Sequence, residues 1–265
     1  METLFNRILG EVRKGNASVV VTVVDSLGST PRKIGAKMCV FADGRSEGTI
    51  GGGALEKTAL EEARQALRKR VSYLKSYSLD RASGLQACGG RVALFFDVVK
   101  PRHRLVICGG GHIGLALSYL GKLLDFDVTV VDYRRAFADK ARFGHVDRVV
   151  CKPYRSALRP LAKERDTFVV IVTHGHVFDA ICCAEALKTP SRYIGMIGSR
   201  KKIATVFADL RKRGFTQKDL RRIVTPVGLD IGAESPAEIA VAIAAQLVQS
   251  RTRPRMEVNH EQGCC

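Results

Sequence analysis

Residues 105–132 read LVICGGGHIGLALSYLGKLLDFDVTVVD: an apolar run, three glycines, a helical stretch, a second apolar run and an acid. That order leaves few folds open. A strand buried on both faces reads as a continuous apolar run, and a glycine turn opening directly onto a helix is the dinucleotide-binding βαβ pattern. Gly109, Gly111 and Gly114 fill G-x-G-x-x-G, and Asp132 follows Gly111 by 21 positions. The first glycine permits the tight turn, the second admits a pyrophosphate to the backbone, and the third lets helix and strand pack closely. The helix start offers unpaired N–H groups and a positive dipole end to an anion. Asp132 is expected to accept from a ribose hydroxyl and Arg134 to meet a 2′-phosphate, so the pair does not choose between NAD and NADP. The same cradle also suits another phosphate-bearing ligand, and both readings stay open.

The chain has 265 residues, enough for two modest domains with full cores. No long apolar run or charged leader is evident, so a soluble, unexported, cytoplasmic protein without membrane contact is expected. The eight cysteines are scattered and form no C-x-x-C pair, which fits a reducing compartment better than a disulfide framework. Cys39 and Cys108 read as strand core, Cys182 and Cys183 as helix packing, and Cys264 and Cys265 as tail. The net charge of +17 is spread over both halves: residues 1–100 carry 16 basic and 10 acidic side chains, residues 101–265 carry 27 and 16. With short basic runs and no tryptophan, this is not the stripe of a nucleic-acid reader. It favours anionic small molecules and acidic partners.

A second glycine system lies upstream. Helix periodicity covers 2–14, strands are expected at 19–24 and 38–41, and a turn at 42–45. Gly51, Gly52 and Gly53 then precede a helix over 54–67, a second candidate anion cradle. Cys88, Gly89 and Gly90 form a small-residue corner before another strand, and a polar linker at 101–104 leads into the βαβ unit. Strands at 168–173 and 193–197 and helices at 177–187, 201–213 and 238–248 continue the α/β rhythm. Ser235, Pro236 and Glu238 form a helix start of capping-box type. The expected fold is therefore α/β: a smaller N-terminal α/β domain over 1–100, then a Rossmann-like doubly wound parallel-sheet domain over 101–250. Residues 251–265 read as a disordered tail.

Eight segments, GSTPRKIGAKMCV, GTIGGGALE, CGGRVALFFD, VICGGGHIGLAL, VVDYR, THGHVFD, YIGMIGSRKK and PVGLDIGAESPAEIAVAIAAQL, occur in that order. Together they resemble the xanthine dehydrogenase accessory protein family (XdhC/CoxI), over about residues 8–250. The resemblance implies an assembly factor rather than a metabolic enzyme. Such a factor binds molybdenum cofactor, supports its sulfuration with a cysteine desulfurase, and delivers it to an apo molybdenum hydroxylase such as xanthine dehydrogenase. Handover of this kind suits a homodimer.

The cofactor is an anionic pterin carrying a phosphate and a dithiolene-bound metal, so glycine cradles, basic residues and a soft thiolate are the features to seek. Cys88 stands at the CGG motif as candidate catalytic thiol and molybdenum ligand, with Arg32 or Arg91 placed to lower its pKa. Arg32, Lys37, Gly51, Gly52, Gly53, Glu56, Gly89 and Gly90 are the remaining cofactor-binding candidates of the first domain. Those of the second are Gly109, Gly111, His112, Gly114, Asp132, Arg134, His174, Gly198, Ser199 and Arg200. His174, His176 and Asp179 leave a metal corner and plain hydrogen bonding both open. Two departures from the family pattern stand out: Asp97 where glutamate is expected, and Tyr133 between Asp132 and Arg134. The alternatives are an NAD(P)-dependent oxidoreductase, with His174, His176 or Tyr193 as proton donor, and a nucleotide-sensing regulatory protein.

Overall fold

The structure, a computed structural model, describes residues 2–79, 90–163 and 166–252. The chain divides into two compact units, Met1–Arg102 and His103–Cys265.

The first unit begins with helix α1 (Glu2–Arg13), then strands β1 (Ser18–Leu27), β2 (Lys37–Phe41) and β3 (Ser46–Gly48), helix α2 (Gly53–Lys69), and strands β4 (Tyr73–Leu79) and β5 (Gly90–Val99). The strands form an antiparallel sheet in the order β3-β2-β1-β5-β4. β1 is rich in β-branched residues, which suit a pleated, half-buried surface, and Val19, Val21 and Val23 point to one face. Leu55, Ala59, Ala63 and Ala66 line α2 at helical spacing and pack on that face with Met38, Leu94 and Phe96. α1 covers part of the other face through Ile8, against Val20, Cys39 and Phe41. The edge strand β4 has no counterpart in the sequence reading. Its apolar residues are split between a buried pair, Tyr77 and Leu79, and an exposed Leu74, which blurs the period-2 signal.

The second unit runs β6 (Arg104–Cys108), α3 (His112–Leu123), β7 (Asp127–Asp132), a short 3-10 turn at Arg135–Phe137, and β8 (Arg148–Cys151). It continues with α4 (Tyr154–Leu161), β9 (Thr167–Ile171), α5 (His176–Leu187), β10 (Tyr193–Met196), α6 (Arg200–Lys212), α7 (Gln217–Leu220), β11 (Ile223–Val224) and α8 (Pro236–Thr252). The parallel sheet has the order β11-β10-β9-β6-β7-β8. Val106 and Cys108 face a layer built by α4, α5 and α6, while Leu105 and Ile107 face α3 and α8. The unit is therefore a doubly wound Rossmann-like domain. Its topological switch point lies between β6 and β9, where ligands of open α/β sheets bind. α8 opens on the expected box: Ser235 Oγ accepts from the Glu238 N–H at 3.3 Å, and the Glu238 carboxylate accepts from the Ser235 N–H at 2.9 Å. It extends to Thr252, so 251–252 are helical rather than tail; residues 253–265 lie outside the described residues. No helix among the described residues is long and apolar enough to cross a membrane.

Candidate functional site

Three of the four glycines at the mouth of the second unit are dictated by packing. Gly109 has φ +118°, and a Cβ there would stand 2.4 Å from the Val172 carbonyl oxygen. A Cβ on Gly114 would stand 2.0 Å from the Gly109 carbonyl oxygen, the close helix–strand approach read from the sequence. Gly110, which the fingerprint leaves unassigned, would put a Cβ 1.9 Å from the Phe137 carbonyl oxygen. It seats the glycine turn on the segment after β7.

Asp132, singled out at the end of β7, is bonded within the chain. Its side chain is fully buried. Oδ2 accepts from the Gly110 N–H at 2.9 Å and from Arg134 Nη2 at 2.9 Å; Oδ1 accepts from the Arg134 N–H and Nε, each at 3.0 Å. Burial pushes this carboxyl's pKa up, but the bonds from Arg134 and Gly110 outweigh it and hold the group below its ordinary value. Both oxygens are thus engaged within the chain in this structure. Arg134 also lies over the Phe137 ring, 3.8 Å from its centroid, so the guanidinium is fixed on one edge and one face. Tyr133 stands partly exposed beside it, stacked on Phe178 at 4.6 Å between centroids.

His112 is the exposed first residue of α3, and His174 and His176 are exposed after β9. Asp179 does not join them. It is fully buried, accepts from Thr173 Oγ1 at 2.5 Å and pairs with Lys202. Burial raises its pKa, an effect that Lys202 and Thr173 only partly offset. This pair ties the THGHVFD segment to the GSRKK segment, and Lys202 was not singled out from sequence. Ser199 caps α6, accepting from the Lys202 N–H, and Arg200 is exposed at the same helix start. Among the described residues no three His, Cys, Asp or Glu side chains are grouped to hold a metal. Tyr193 is buried, with its hydroxyl bonded to Gln246.

In the first unit, three sequence-distant loops meet at one end of the sheet. A Cβ on Gly51 (φ +131°) would stand 2.4 Å from Pro31 Cβ, and one on Gly90 would stand 2.4 Å from the Ser29 carbonyl oxygen. The GSTPRK turn is therefore wedged between the triple glycine and the start of β5. Arg32 is exposed on this turn, and Lys37, partly buried on β2, donates to the Gly35 carbonyl at 3.4 Å. Cys88 and Gly89 lie outside the described residues.

Glu56 occupies part of the expected second anion cradle. Its Oε2 accepts from Thr49 Oγ1 at 2.6 Å and from the N–H groups of Gly52 at 3.0 Å and Ile50 at 3.2 Å. The carboxylate thus takes donors that an external anion would need, leaving the first turn of α2 at Gly53 as the open part. Asp97 is exposed on β5 and accepts from Ser72 Oγ at 3.3 Å.

Burial raises the Glu56 pKa, but these donors outweigh it, and the group lies below its ordinary 4.5. A lowered folded-state pKa contributes stability that is present above the unfolded value and is lost as pH falls through the folded one. Wild-type protein should therefore lose urea resistance below about pH 4.5 more steeply than Glu56→Gln. Parallel pH profiles for the two would show that the staple does not titrate in this range.

An antiparallel unit with a wedged glycine corner and a Rossmann-like domain with a glycine turn at the start of α3 define an α/β protein. Residues 105–247 match the XdhC Rossmann domain, and residues 12–78 match the XdhC and CoxI family. The chain belongs to the XdhC/CoxI family. It is 34% identical to the uncharacterized protein YqeB of Escherichia coli strain K12 over 91% of this chain and 46% of that protein, so it spans about half of that relative. It is 22% identical to the molybdenum cofactor insertion chaperone PaoD of the same organism, over 94% of this chain and 88% of PaoD. A solved structure described as a xanthine dehydrogenase from Bacillus halodurans shares the fold at TM-score 0.53 and 22% identity, covering 94% of this chain and 96% of that one.

Proposed function

We propose that the chain is a maturation factor that holds molybdenum cofactor as cargo and passes it to an apo molybdenum hydroxylase of the xanthine dehydrogenase type. Kinship with PaoD supports that class of role. The observation that carries the reading is the convergence of the GSTPRK turn, the triple glycine and the start of β5. Arg32 stands on that turn, and the triple glycine opens onto α2. A phosphate-bearing pterin is suited by backbone N–H groups and a cationic chain, and molybdenum by a thiolate.

In this proposal Cys88 supplies that thiolate, Arg32, Lys37 and Gly53 face the anion, and Gly89 and Gly90 belong to the same binding segment. The role extends to sulfuration with a cysteine desulfurase, in the cytoplasm, and to a homodimer. Support for self-association comes from Tyr119 and Leu123 on α3 and Val241 and Val248 on α8. These are exposed apolar residues on two helices that pack together. In a chain of net charge +17, exposed apolar side chains are where two copies meet with the least repulsion.

Anaerobic purification from a molybdopterin-producing host tests the reading, with molybdenum, pterin and solution mass measured for wild type and Cys88→Ser. Near-stoichiometric cofactor on a dimer, lost from the variant, is expected. Retention by the variant would remove Cys88 from the site and keep the carrier. Absence of pterin from both, with a nicotinamide nucleotide bound instead, would overturn the proposal.

A further inference from the structure

The two helix layers of the second unit carry unlike surfaces. On one side of the parallel sheet, α8 has no charged residue from Ile239 to Ser250. On the other, residues 200–222, which hold α6 and α7, carry nine basic and two acidic side chains. A solvated surface ordinarily intersperses the two signs, and a single-sign field adds self-repulsion, so this sorting calls for a cause. Val206, Phe207 and Leu210 turn α6 onto the core, and helical spacing then directs Lys201 and Lys212 outward, where both are exposed. Arg211 bonds Gln217 at 3.2 Å, tying α6 to α7, and Lys218 continues the positive sign. Arg155 and Arg159 are exposed on α4, beyond α5, which packs against both α4 and α6. Among the described residues no carboxylate pairs with Arg155, Arg159, Lys201, Lys212 or Lys218.

A groove of about 250 Å³ opens in this cationic layer between α5 and α6. Buried Ala180 and Val206, Val177 with 55% exposure, and exposed Thr205 line it. His176 and the Asp209–Arg213 pair, at 2.7 Å, complete the lining. The volume lies below the roughly 300 Å³ at which small-molecule pockets begin, and it suits a single apolar side chain. An apolar hole ringed by polar and charged groups is the anatomy of a protein–protein contact. No phenylalanine or tyrosine is exposed among the described residues of α4, α5, α6 and α7, so the face lacks the platforms on which nucleic-acid bases stack. α6 buries its apolar face in the core, which leaves none to enter a lipid surface.

We infer that this face docks an acidic protein surface, with the groove between α5 and α6 taking one projecting apolar side chain of the partner. Complementary charge steers the encounter, and the seated side chain sets the lifetime of the complex. The inference rests on the maturation-factor reading for one point, that the partner is the apo hydroxylase. The α3 and α8 layer lies on the opposite side of the sheet, so self-association there and docking here do not compete.

The test is binding kinetics of the full chain with the apo form of a xanthine dehydrogenase-type hydroxylase, made in a host that lacks molybdenum cofactor. Lys201→Glu/Lys212→Glu should slow association about tenfold, and wild-type binding should weaken as ionic strength rises from about 0.01 to about 0.15 M. Arg64→Glu/Arg68→Glu makes the same change in net charge at exposed positions of α2 and should leave association nearly unchanged. Thr205→Phe fills the groove without altering charge and should speed dissociation about tenfold. Melting temperature, and molybdenum and pterin per chain, should stay at the wild-type values in all three variants. Equal slowing by the two reversals, wild-type dissociation of Thr205→Phe, cofactor loss from the Lys201 and Lys212 variant, or no binding by the wild-type chain would each overturn the inference. So would tighter binding to a DNA duplex or to phosphatidylserine vesicles than to the hydroxylase. Cofactor content judges the carrier reading separately: a loaded chain that fails to dock keeps it, and a chain that docks without cofactor refutes it.

Discussion

Asp132→Ala is expected to lower the stability of the Rossmann unit by about 3 kcal/mol, the low end of the range for breaking a buried ion pair. The low end applies because Arg134 retains 25% side-chain exposure and can turn its charge to water. The Gly110 N–H, bonded to the buried carboxylate at 2.9 Å, has no such escape, and an orphaned buried donor costs about 1–3 kcal/mol. The chain has no tryptophan, so urea unfolding followed by far-ultraviolet circular dichroism is the suitable measurement. A loss below about 1 kcal/mol, the ordinary range for a surface pair, would show that the clamp is not what holds the turn.

Gly110→Ala should do comparable damage by a different route. The added methyl carbon would stand 1.9 Å from the Phe137 carbonyl oxygen, and a backbone oxygen cannot rotate aside as a side chain can. Either the glycine turn or the segment carrying Arg134 and Phe137 must move. Overpacking of this kind costs about 1–3 kcal/mol, occasionally more. The control is one residue away: a Cβ on Gly111, the N-cap of α3, meets nothing within 4 Å, so Gly111→Ala should cost no more than the roughly 1 kcal/mol by which alanine falls short of glycine as a cap. Equal stability losses for the two variants would contradict the packing derived for this turn.

Much of the architecture was legible because strands buried on both faces leave an unmistakable trace. LVICGG and VTVVD have only one comfortable home, the middle of a parallel sheet covered by helices. The Ser235–Glu238 box was equally plain, since capping is local and three residues suffice to read it. β4 and β8 were lost for the opposite reason. Edge strands face solvent on one side, and Arg148 and Cys151 at the ends of β8 are exposed, so no apolar run announces them. α4 follows Pro153 and contains Pro160, which argued locally against a helix that tertiary packing nevertheless secures through Tyr154, Ala157 and Leu158.

At the sites, residue choice was legible but partners were not. Asp132 and Arg134 stood out as a pair, yet periodicity cannot say that they would grip each other. Glu56 stood out behind the triple glycine, and only the folded loop shows its carboxylate in the place of the anion expected there. Lys202 and Asp179 are 23 positions apart on different helices, beyond any local pattern. A readable hint existed for Arg134: an i, i+2 acid–arginine spacing at a strand end permits a chelate within one turn.

The described cysteines fall into two classes with different chemical fates. Cys39, Cys108, Cys182 and Cys183 are fully buried. Burial pushes Cys39 to about 12 and Cys182 and Cys183 well above their ordinary value. Cys151 is exposed at the end of β8. Since the thiolate is the nucleophile, the raised pKa values hold Cys39, Cys182 and Cys183 in the unreactive thiol form, and burial closes Cys108 off from solvent. All four serve as packing, out of reach of reagents in solution.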